Sequence, residues 1–419
     1  MKKMWKQLTA LTLLLSFALG FSGCGEHEFQ ADDLMKGVTT QTIEVTEVPQ
    51  TFEQSQMAFA LELFQKTVKA SEEENVLLSP LSVMLALSMT ANGADGETKA
   101  QMEEVLGLPI EELNAYLYSY VKTITGNEFY KLNISNSIWF RSNGIAVKTE
   151  FLQTNADYYG ADVFGAKFNQ DTVKDMNKWV SDKTNGLIQN MVEKIESDEL
   201  MYLINTVLFD AKWLKAYNSD QISEKTFYPL TGAGHKVTSM FSKERRYIED
   251  DKATGFIKPF VGEQYSMAIL LPNEGVNVKD YVAQLTADGI QKTLSNITQV
   301  TVYTRLPKFS YDFSANMNDV LKDMGIQNAF ANSADFSKMG EVTGMDGDSL
   351  YIGNVVHKTR IQVDELGTVA GASTSVSIQT DGIEMEKRSV YVDRPFVYMI
   401  IDNQTNLPLF MGMVTDINR

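Results

Sequence analysis

Few residues of this chain could carry covalent or metal chemistry. Its 419 residues include three histidines (His27, His235 and His357) and a single cysteine, Cys24. No HExxH or CxxC spacing, no GxSxG elbow and no GxxxxGK[ST] phosphate loop occurs. A single cysteine also excludes an intrachain disulfide framework. The sequence therefore argues against an enzyme and predicts neither a metal nor an organic cofactor.

The charge balance argues against nucleic acid as a partner. Asp and Glu total 54 against 37 Lys and Arg, which gives a formal net charge of −17. Such a surface repels phosphate backbones, and the basic residues are scattered among acids, so a heparin-like site is not predicted either. With 44% hydrophobic residues and only 9 prolines, the chain is expected to fold around a large core.

The N-terminus has the pattern of a secretory leader. Three lysines precede an apolar run over residues 8–21, which is shorter than a membrane span. The run ends in FSGC at 21–24, which resembles the lipobox of bacterial lipoproteins, although phenylalanine stands where that motif usually has leucine. We predict a signal peptide over residues 1–23 and lipidation of Cys24. Ordinary cleavage near Gly23 is the alternative.

The polar, acidic segment at residues 24–50 is predicted to be a flexible tether. It would hold the protein on the extracellular face of a bacterial membrane as a lipoprotein, unless the protein is secreted or released. Residues 51–419 contain no internal repeat and no long linker, so they are predicted to form one domain.

The folded part has helical patterns first and strand patterns later, which indicates an α+β fold. Ser79 is the predicted N-cap of one helix, with Pro80 at its first position. The predicted helices cover residues 52–70, 81–90, 98–106, 110–124 and 315–324. The predicted strands cover residues 132–140, 202–209, 236–241, 265–271, 300–306 and 390–401.

These segments carry a series of short motifs, each weak alone, that together resemble the serpins, the serine protease inhibitor family. The motifs occur in family order and at family spacing: NVLLSPLS at 75–82, GADGETK at 93–99, NKWV at 177–180, TNG at 184–186, LINTVLFDAKW at 203–213, LPKF at 306–309, ADFS at 334–337, HK at 357–358, ELGTVAGA at 365–372, DRPF at 393–396 and LFMG at 409–412. The resemblance covers nearly the whole chain behind the tether.

The resemblance implies a fold of three β-sheets and eight to nine helices with an exposed reactive loop near the C-terminus. A target protease would cleave this loop and be trapped as an acyl-enzyme while the loop inserts into the main sheet. The implied partner is a serine protease, with a cysteine protease as the alternative, held by a monomer in a covalent complex. A non-inhibitory, serpin-fold surface binding protein, such as a carrier or adhesin, is the alternative. A lipid-anchored enzyme is a weaker one.

The resemblance also assigns roles to residues. Ser79, Ser82, Asn205 and His357 match positions that cluster beneath the opening sheet, and Trp213 matches the tryptophan where insertion begins. The hinge of the loop is assigned to Glu365, Gly367, Thr368, Val369, Ala370, Gly371, Ala372 and Ser373.

The loop residues themselves favour insertion. No proline occurs between Gly367 and Arg394, and no charge occurs between Gly367 and Thr380. Every second residue is apolar or small, while the intervening set is more polar, so one face could be buried. The apolar set is Thr368, Ala370, Ala372, Thr374, Val376 and Ile378.

The scissile bond is less well defined. Counting from Glu365 by the family spacing gives Asp381, followed by Gly382, whereas counting back from Pro395 gives a position near Glu384. We predict the bond between Asp381 and Gly382, because the distance from the hinge sets how far the protease is moved. The alternative reactive-bond residues are Thr380, Ile383, Glu384 and Met385.

Overall fold

The computed structural model describes residues 27–71, 75–125, 129–142, 144–196, 199–343, 350–368 and 386–417. Within these residues the chain forms nine α-helices and seventeen strands. The strands form a sheet of six, a sheet of nine and a separate pair. This α+β arrangement has the three sheets that the sequence predicts.

The helices follow the apolar spacing of the sequence closely. α2 shows why one of them is central: every one of its residues is buried, and it packs against both large sheets. Ser79 occupies its N-cap position and Pro80 its first turn, but the Ser79 hydroxyl makes no capping bond. The helices are α1 Gln50–Ala70, α2 Pro80–Ala91, α3 Gly96–Leu106, α4 Ile110–Ile124, α5 Thr149–Tyr159, α6 Gln170–Lys183, α7 Val278–Gln284, α8 Ala287–Ser295 and α9 Asn318–Met324.

The strands divide between the sheets in an order that differs from their order in the chain. They are β1 Asp32–Asp33, β2 Val76–Leu78, β3 Tyr130–Arg141, β4 Ile145–Val147, β5 Asp162–Ala166, β6 Met201–Ala211, β7 Ile222–Phe227, β8 His235–Glu249, β9 Ala253–Pro259, β10 Tyr265–Pro272, β11 Thr298–Pro307, β12 Phe309–Asn316, β13 Gly340–Val342, β14 Asn354–Val363, β15 Lys387–Tyr391, β16 Phe396–Asp402 and β17 Pro408–Val414. The six-stranded sheet has the order β1-β5-β3-β6-β14-β12. The nine-stranded sheet has the order β15-β11-β8-β9-β10-β16-β17-β2, with β7 on β8.

Three predicted elements differ from the structure by more than two residues at an end. The strand predicted over 236–241 extends to Glu249 as β8, and two others change as follows. The strand predicted over 390–401 is two strands, because Pro395 has no N–H for a ladder. β15 pairs in parallel with β11, whereas β16 pairs with β10 and β17. The helix predicted over 315–324 begins only at Asn318, since Ala315 and Asn316 still belong to β12.

The segment before α1 lies along the domain. β1 pairs antiparallel with β5 at the edge of the six-stranded sheet. Phe29 places its ring 5.3 Å from that of Phe164 and 5.9 Å from that of Trp139. These contacts partly bury an aromatic side chain that the sequence pattern does not single out.

A buried carboxylate fixes the start of this segment. Asp175 of α6 accepts hydrogen bonds from the backbone N–H groups of Gln30 at 2.9 Å and Ala31 at 2.8 Å, and His27 contacts it at 2.6 Å. The start of the segment predicted to be a tether thus contacts the domain, and its role as a tether stays a prediction. Residues in this segment are held by partners on the domain, which an absence of apolar periodicity in the segment itself cannot reveal.

Candidate functional site

The candidate site is a gap in the six-stranded sheet between β6 and β14. These two strands pair in parallel over only four residues, Asn354–His357 against Tyr202–Asn205. Beyond that point residues 206–211 of β6 and 358–363 of β14 form no pairs with each other. On their other sides these same residues are paired: residues 206–211 of β6 with β3, and residues 358–363 of β14 with β12. Among the described residues, the gap is therefore bounded by two strands that are each paired on one side and unpaired on the side that faces the gap.

The chain turns back toward this gap directly after β14. Residues 364–367, which we call the hinge turn, reverse its direction, and the Asp364 carboxylate accepts from the N–H groups of Leu366 and Gly367 at 2.8 and 3.2 Å. Gly367 then pairs antiparallel with Lys212. An added Cβ at Gly367 would lie 2.1 Å from the Ala211 carbonyl oxygen, so this close approach requires glycine.

Thr368 is the last described residue of the hinge, and it already occupies the top of the gap. Its N–H donates to the Ala211 carbonyl at 2.9 Å, and its hydroxyl accepts from the Ala211 N–H at 3.1 Å. Its side chain is 2% exposed. The described part of the hinge, which ends at Thr368, thus pairs with the end of β6 in a defined register and direction.

A group of buried polar side chains lies beneath the four residue pairs that join β6 and β14. The N–H of Ser79 donates to His357 Nε2 at 3.2 Å, while His357 Nδ1 has no hydrogen-bond partner among the described residues. Burial lowers the pKa of His357 to about 4, so its ring is neutral at pH 7. Ser82 follows Ser79 by three residues and lies on α2. It is buried, and its hydroxyl also has no partner among the described residues.

Asn205 lies opposite His357 in the last pair before the gap. Its amide nitrogen donates to Asn136 on β3, and its carbonyl oxygen has no partner within the described residues. The structure thus brings Ser79 and His357 into contact and sets Asn205 beside His357. Asn136 was missed by the sequence analysis. The sequence did contain a signal for it. Asn136 lies in the strand predicted over 132–140, at a position where the alternation of side chains predicts an inward-facing residue.

Trp213, which the resemblance assigns to the point where insertion begins, lies two residues after the end of β6. Its backbone N–H donates to the Leu366 carbonyl and its indole N–H to the Asp364 carbonyl, both at 2.9 Å. Its ring stacks on Phe260 with centroids 4.5 Å apart and an interplanar angle of 9°. The tryptophan thus holds the hinge turn from two directions.

Glu365 forms an ion pair with Lys308, the residue that follows β11. The hydrogen bond from Lys308 holds the pKa of Glu365 below its usual value. Both side chains are half-buried. Lys308 stands within the LPKF motif, but the sequence alone does not pair it with the hinge.

The remaining predicted site residues lie outside the described residues. They are the lipidation site Cys24, the hinge residues Val369, Ala370, Gly371, Ala372 and Ser373, and the reactive-bond residues Thr380, Asp381, Gly382, Ile383, Glu384 and Met385. Their roles stay predictions.

No group of three or more His, Cys, Asp or Glu side chains in the described part of the chain is arranged to hold a metal ion. No helix there is both long enough and apolar enough to cross a membrane.

The chain matches known proteins over most of its length. The family model for Serpin (serine protease inhibitor) matches residues 54–417. An uncharacterized serpin-like protein of Thermococcus kodakarensis is 31% identical over 366 residues, which cover 85% of this chain and 83% of the relative. Leukocyte elastase inhibitor A of Mus musculus is 29% identical over 377 residues, covering 85% and 97%.

Solved structures give the same result. The thermophilic serpin tengpin in its native state is 44% identical and superposes with a TM-score of 0.88, covering 92% of this chain and all of tengpin. Tengpin in its latent state, at the same 44% identity and 89% coverage of this chain, gives a TM-score of 0.79. The structure is thus more similar to the native conformation than to the latent one. On the family model, the relatives and the shared fold together, this chain belongs to the serpin family.

Proposed function

We propose that this protein is a protease inhibitor that acts as a suicide substrate for a serine protease. The observation that carries the proposal is the gap between β6 and β14 with Thr368 at its upper end. A strand added there would find unpaired backbone edges on both sides. Cleavage of the loop would free its N-terminal part to enter, and the attached acyl-enzyme would move with it.

The register of the hinge supports this reading. If the chain continued antiparallel to β6 from the pair between Thr368 and Ala211, residue 373 would lie opposite Thr206. The hinge predicted from the sequence would therefore fill the open half of the gap. Insertion beyond residue 373 would have to separate the four pairs that end at Asn205 and His357.

The alternation of the loop also matches the burial of β6. In the same register Ala370 and Ala372 would lie opposite Phe209 and Val207, both of which are buried. Small side chains are needed there because the core beneath is already filled. Val369 would instead lie opposite half-buried Asp210.

The test is incubation of the leaderless protein with a panel of elastase-like, trypsin-like, subtilisin-like and acid-specific proteases. Denaturing gels and intact mass are the readouts. We expect a detergent-stable species at the summed mass of protein and protease with at least one enzyme. The released peptide would identify the scissile bond, for which we propose Asp381–Gly382.

Loop cleavage without any covalent complex would contradict the inhibitor function and leave the non-inhibitory binding protein as the better account. Turnover of ester or peptide substrates by the protein would favour an enzyme. Neither result would change the fold assignment, which rests on the family comparison.

We further propose that the protein is a lipoprotein anchored through Cys24 outside the membrane. The support is the FSGC sequence at the end of the apolar leader. The full chain expressed in a bacterial host should enter the detergent phase on phase partition, and a Cys24→Ala variant should not. An unmodified Cys24 by mass spectrometry would contradict the anchor and leave a secreted protein.

A further inference from the structure

A buried ion pair lies behind the tryptophan that holds the hinge turn. Lys258 on β9 contacts Glu244 on β8 at 2.8 Å, and their side chains are 1% and 7% exposed. Burial opposes the charge on Lys258, but Tyr217 and Glu244 outweigh it, and the pKa of this lysine is raised. A buried pair of this kind contributes little net stability compared with apolar residues of the same size. Net stability therefore does not explain why Lys258 and Glu244 are buried behind Trp213.

The pair connects the nine-stranded sheet to residues 213–217, which follow β6 and which we call the donor segment. Lys258 Nζ donates to the Lys215 carbonyl at 3.1 Å. It also lies 4.3 Å from the ring centroid of Tyr217 and 5.3 Å from that of Trp213. One ammonium group thus contacts the start, the middle and the end of the donor segment.

Glu244 is itself fixed from the other side. Its carboxylate accepts from the Ser242 hydroxyl at 2.5 Å, and that hydroxyl is 2.8 Å from the hydroxyl of Thr304 on β11. Three strands of the nine-stranded sheet therefore take part in holding Lys258 in place. A charge that is anchored in this way can define the position of the groups it contacts.

The donor segment in turn binds three consecutive carbonyl groups of the hinge turn. Trp213 donates its indole N–H to the carbonyl of Asp364, Tyr217 its backbone N–H to that of Glu365, and Trp213 its backbone N–H to that of Leu366. All three distances are 2.9 Å. A continuous chain of contacts therefore runs from Glu244 through Lys258 and the donor segment to the turn that aims the chain into the gap.

We propose that Lys258 and Glu244 are positioning residues for loop insertion. They fix the donor segment so that the hinge turn directs the loop into the gap as soon as the loop is cut. This inference rests on the proposed inhibitory function, because insertion has to finish before the acyl-enzyme is hydrolysed. Without the pair the turn is held less firmly, insertion starts more slowly, and more cleavages end in release of active protease.

The test uses the double variant Lys258→Met and Glu244→Gln, which removes both charges together and keeps an acceptor for Ser242. The control is Arg246→Met and Glu263→Gln, a more exposed pair at 3.4 Å involving the same strand, β8. Two quantities are measured in the leaderless protein. One is amide hydrogen exchange at Trp213 and Tyr217, and the other is the fraction of cleaved inhibitor found in covalent complex.

We expect at least tenfold faster exchange at these two amides in the double variant and at least a threefold smaller complex fraction. Exchange in β16, the urea midpoint and the control variant should match the unaltered protein. Unchanged exchange at Trp213 and Tyr217 would overturn the proposal. So would faster exchange with an unchanged complex fraction, which would leave the pair a purely structural role.

The failure of the proposed function would look different. If the unaltered protein forms no covalent complex with any protease of the panel, the inhibitory mechanism is wrong and with it the role of the pair in insertion. The exchange rates, which need no protease, then still decide whether the pair holds the hinge turn.

Discussion

Two strand boundaries of this molecule differ in how completely they are paired. β16 in the nine-stranded sheet forms six residue pairs with β10 on one edge and six with β17 on the other. It is buried along its whole length. β6 and β14 in the six-stranded sheet pair over four residues and then separate. The first boundary has no room for another strand, whereas the second, as far as the described residues go, has an unpaired edge on each side.

The buried side chains do not divide the two boundaries as sharply as the backbone pairing does. Around β16 the hydroxyls of Tyr311 and Tyr398 lie 2.8 Å apart, but Ser266 on β10, opposite Ile401, keeps a buried hydroxyl without a partner among the described residues. At the β6–β14 boundary Asn205, His357 and Ser82 each keep a buried polar atom without a partner among the described residues. Each such atom costs about 1–3 kcal/mol. The comparison teaches that the two boundaries differ in their backbone pairing, which is complete on both sides of β16 and stops after four residues between β6 and β14.

The largest effect is expected from a charge on the inserting face of the loop. Ala370→Arg should abolish the covalent complex, because insertion would bury a guanidinium opposite Phe209 at a cost of several kcal/mol. Val369→Arg is the matched control, since that side chain would lie near Asp210 at the half-buried face. Complex yield on denaturing gels is the measurement. Equal yields from both variants would contradict the proposed register.

Adding a methyl group between β16 and β17, the fully paired boundary, should destabilise the fold itself. A Cβ on Gly412 would lie 2.3 Å from the Tyr398 ring, in a region without free space. Gly412→Ala should lower the free energy of unfolding by about 3 kcal/mol. In Gly165→Ala the nearest contact is 3.5 Å, and this control should be close to neutral. Urea denaturation decides between them, and a loss below about 1 kcal/mol for Gly412→Ala would contradict the close packing.

His357 should make the open boundary sensitive to acid. Its pKa of about 4 in the folded state lies below the ordinary value of 6.5, so the unfolded chain takes up the proton first and stability falls as pH decreases from 6.5 toward 4. The expected loss between pH 7 and pH 5 is about 2 kcal/mol. His357→Gln should remove this part of the slope of unfolding free energy against pH. An unchanged slope would show that the buried histidine does not titrate this way.

The smallest effect is expected at the ion pair between Glu365 and Lys308. Both side chains are half-buried, so solvent weakens the attraction, and Glu365→Gln should lower the free energy of unfolding by less than about 1 kcal/mol. Chemical denaturation at low and high salt measures it. A loss of several kcal/mol would mean that the hinge contributes to native stability far more than this contact indicates.

Most of the elements could be predicted from the sequence, whereas most of their partners could not. The apolar spacing of α1 and α2 and the alternation of β6 are local patterns. The contact of Asp175 with residues 27–31, the pair of Lys258 and Glu244, and the bond between Asn136 and Asn205 join residues far apart in the chain. Only the sheet order brings them together, so spacing along the sequence carries no sign of them.

The candidate site shows the same limit. Matching short segments was enough to single out Trp213, which follows β6, and His357, which lies within β14, and their roles stay predictions. The length of the gap and its register with Thr368 depend on how far two strands stay paired, which is a property of the folded sheet.

The central claim is that the gap between β6 and β14 accepts the cleaved loop as a strand. The most direct test is the melting temperature of the leaderless protein before and after cleavage in the loop by a protease that it does not trap. The account predicts that the cleaved form melts tens of degrees higher, because the added strand pairs both free edges, and that cleaved Ala370→Arg does not gain this stability. Equal melting temperatures for the intact and cleaved forms would contradict it.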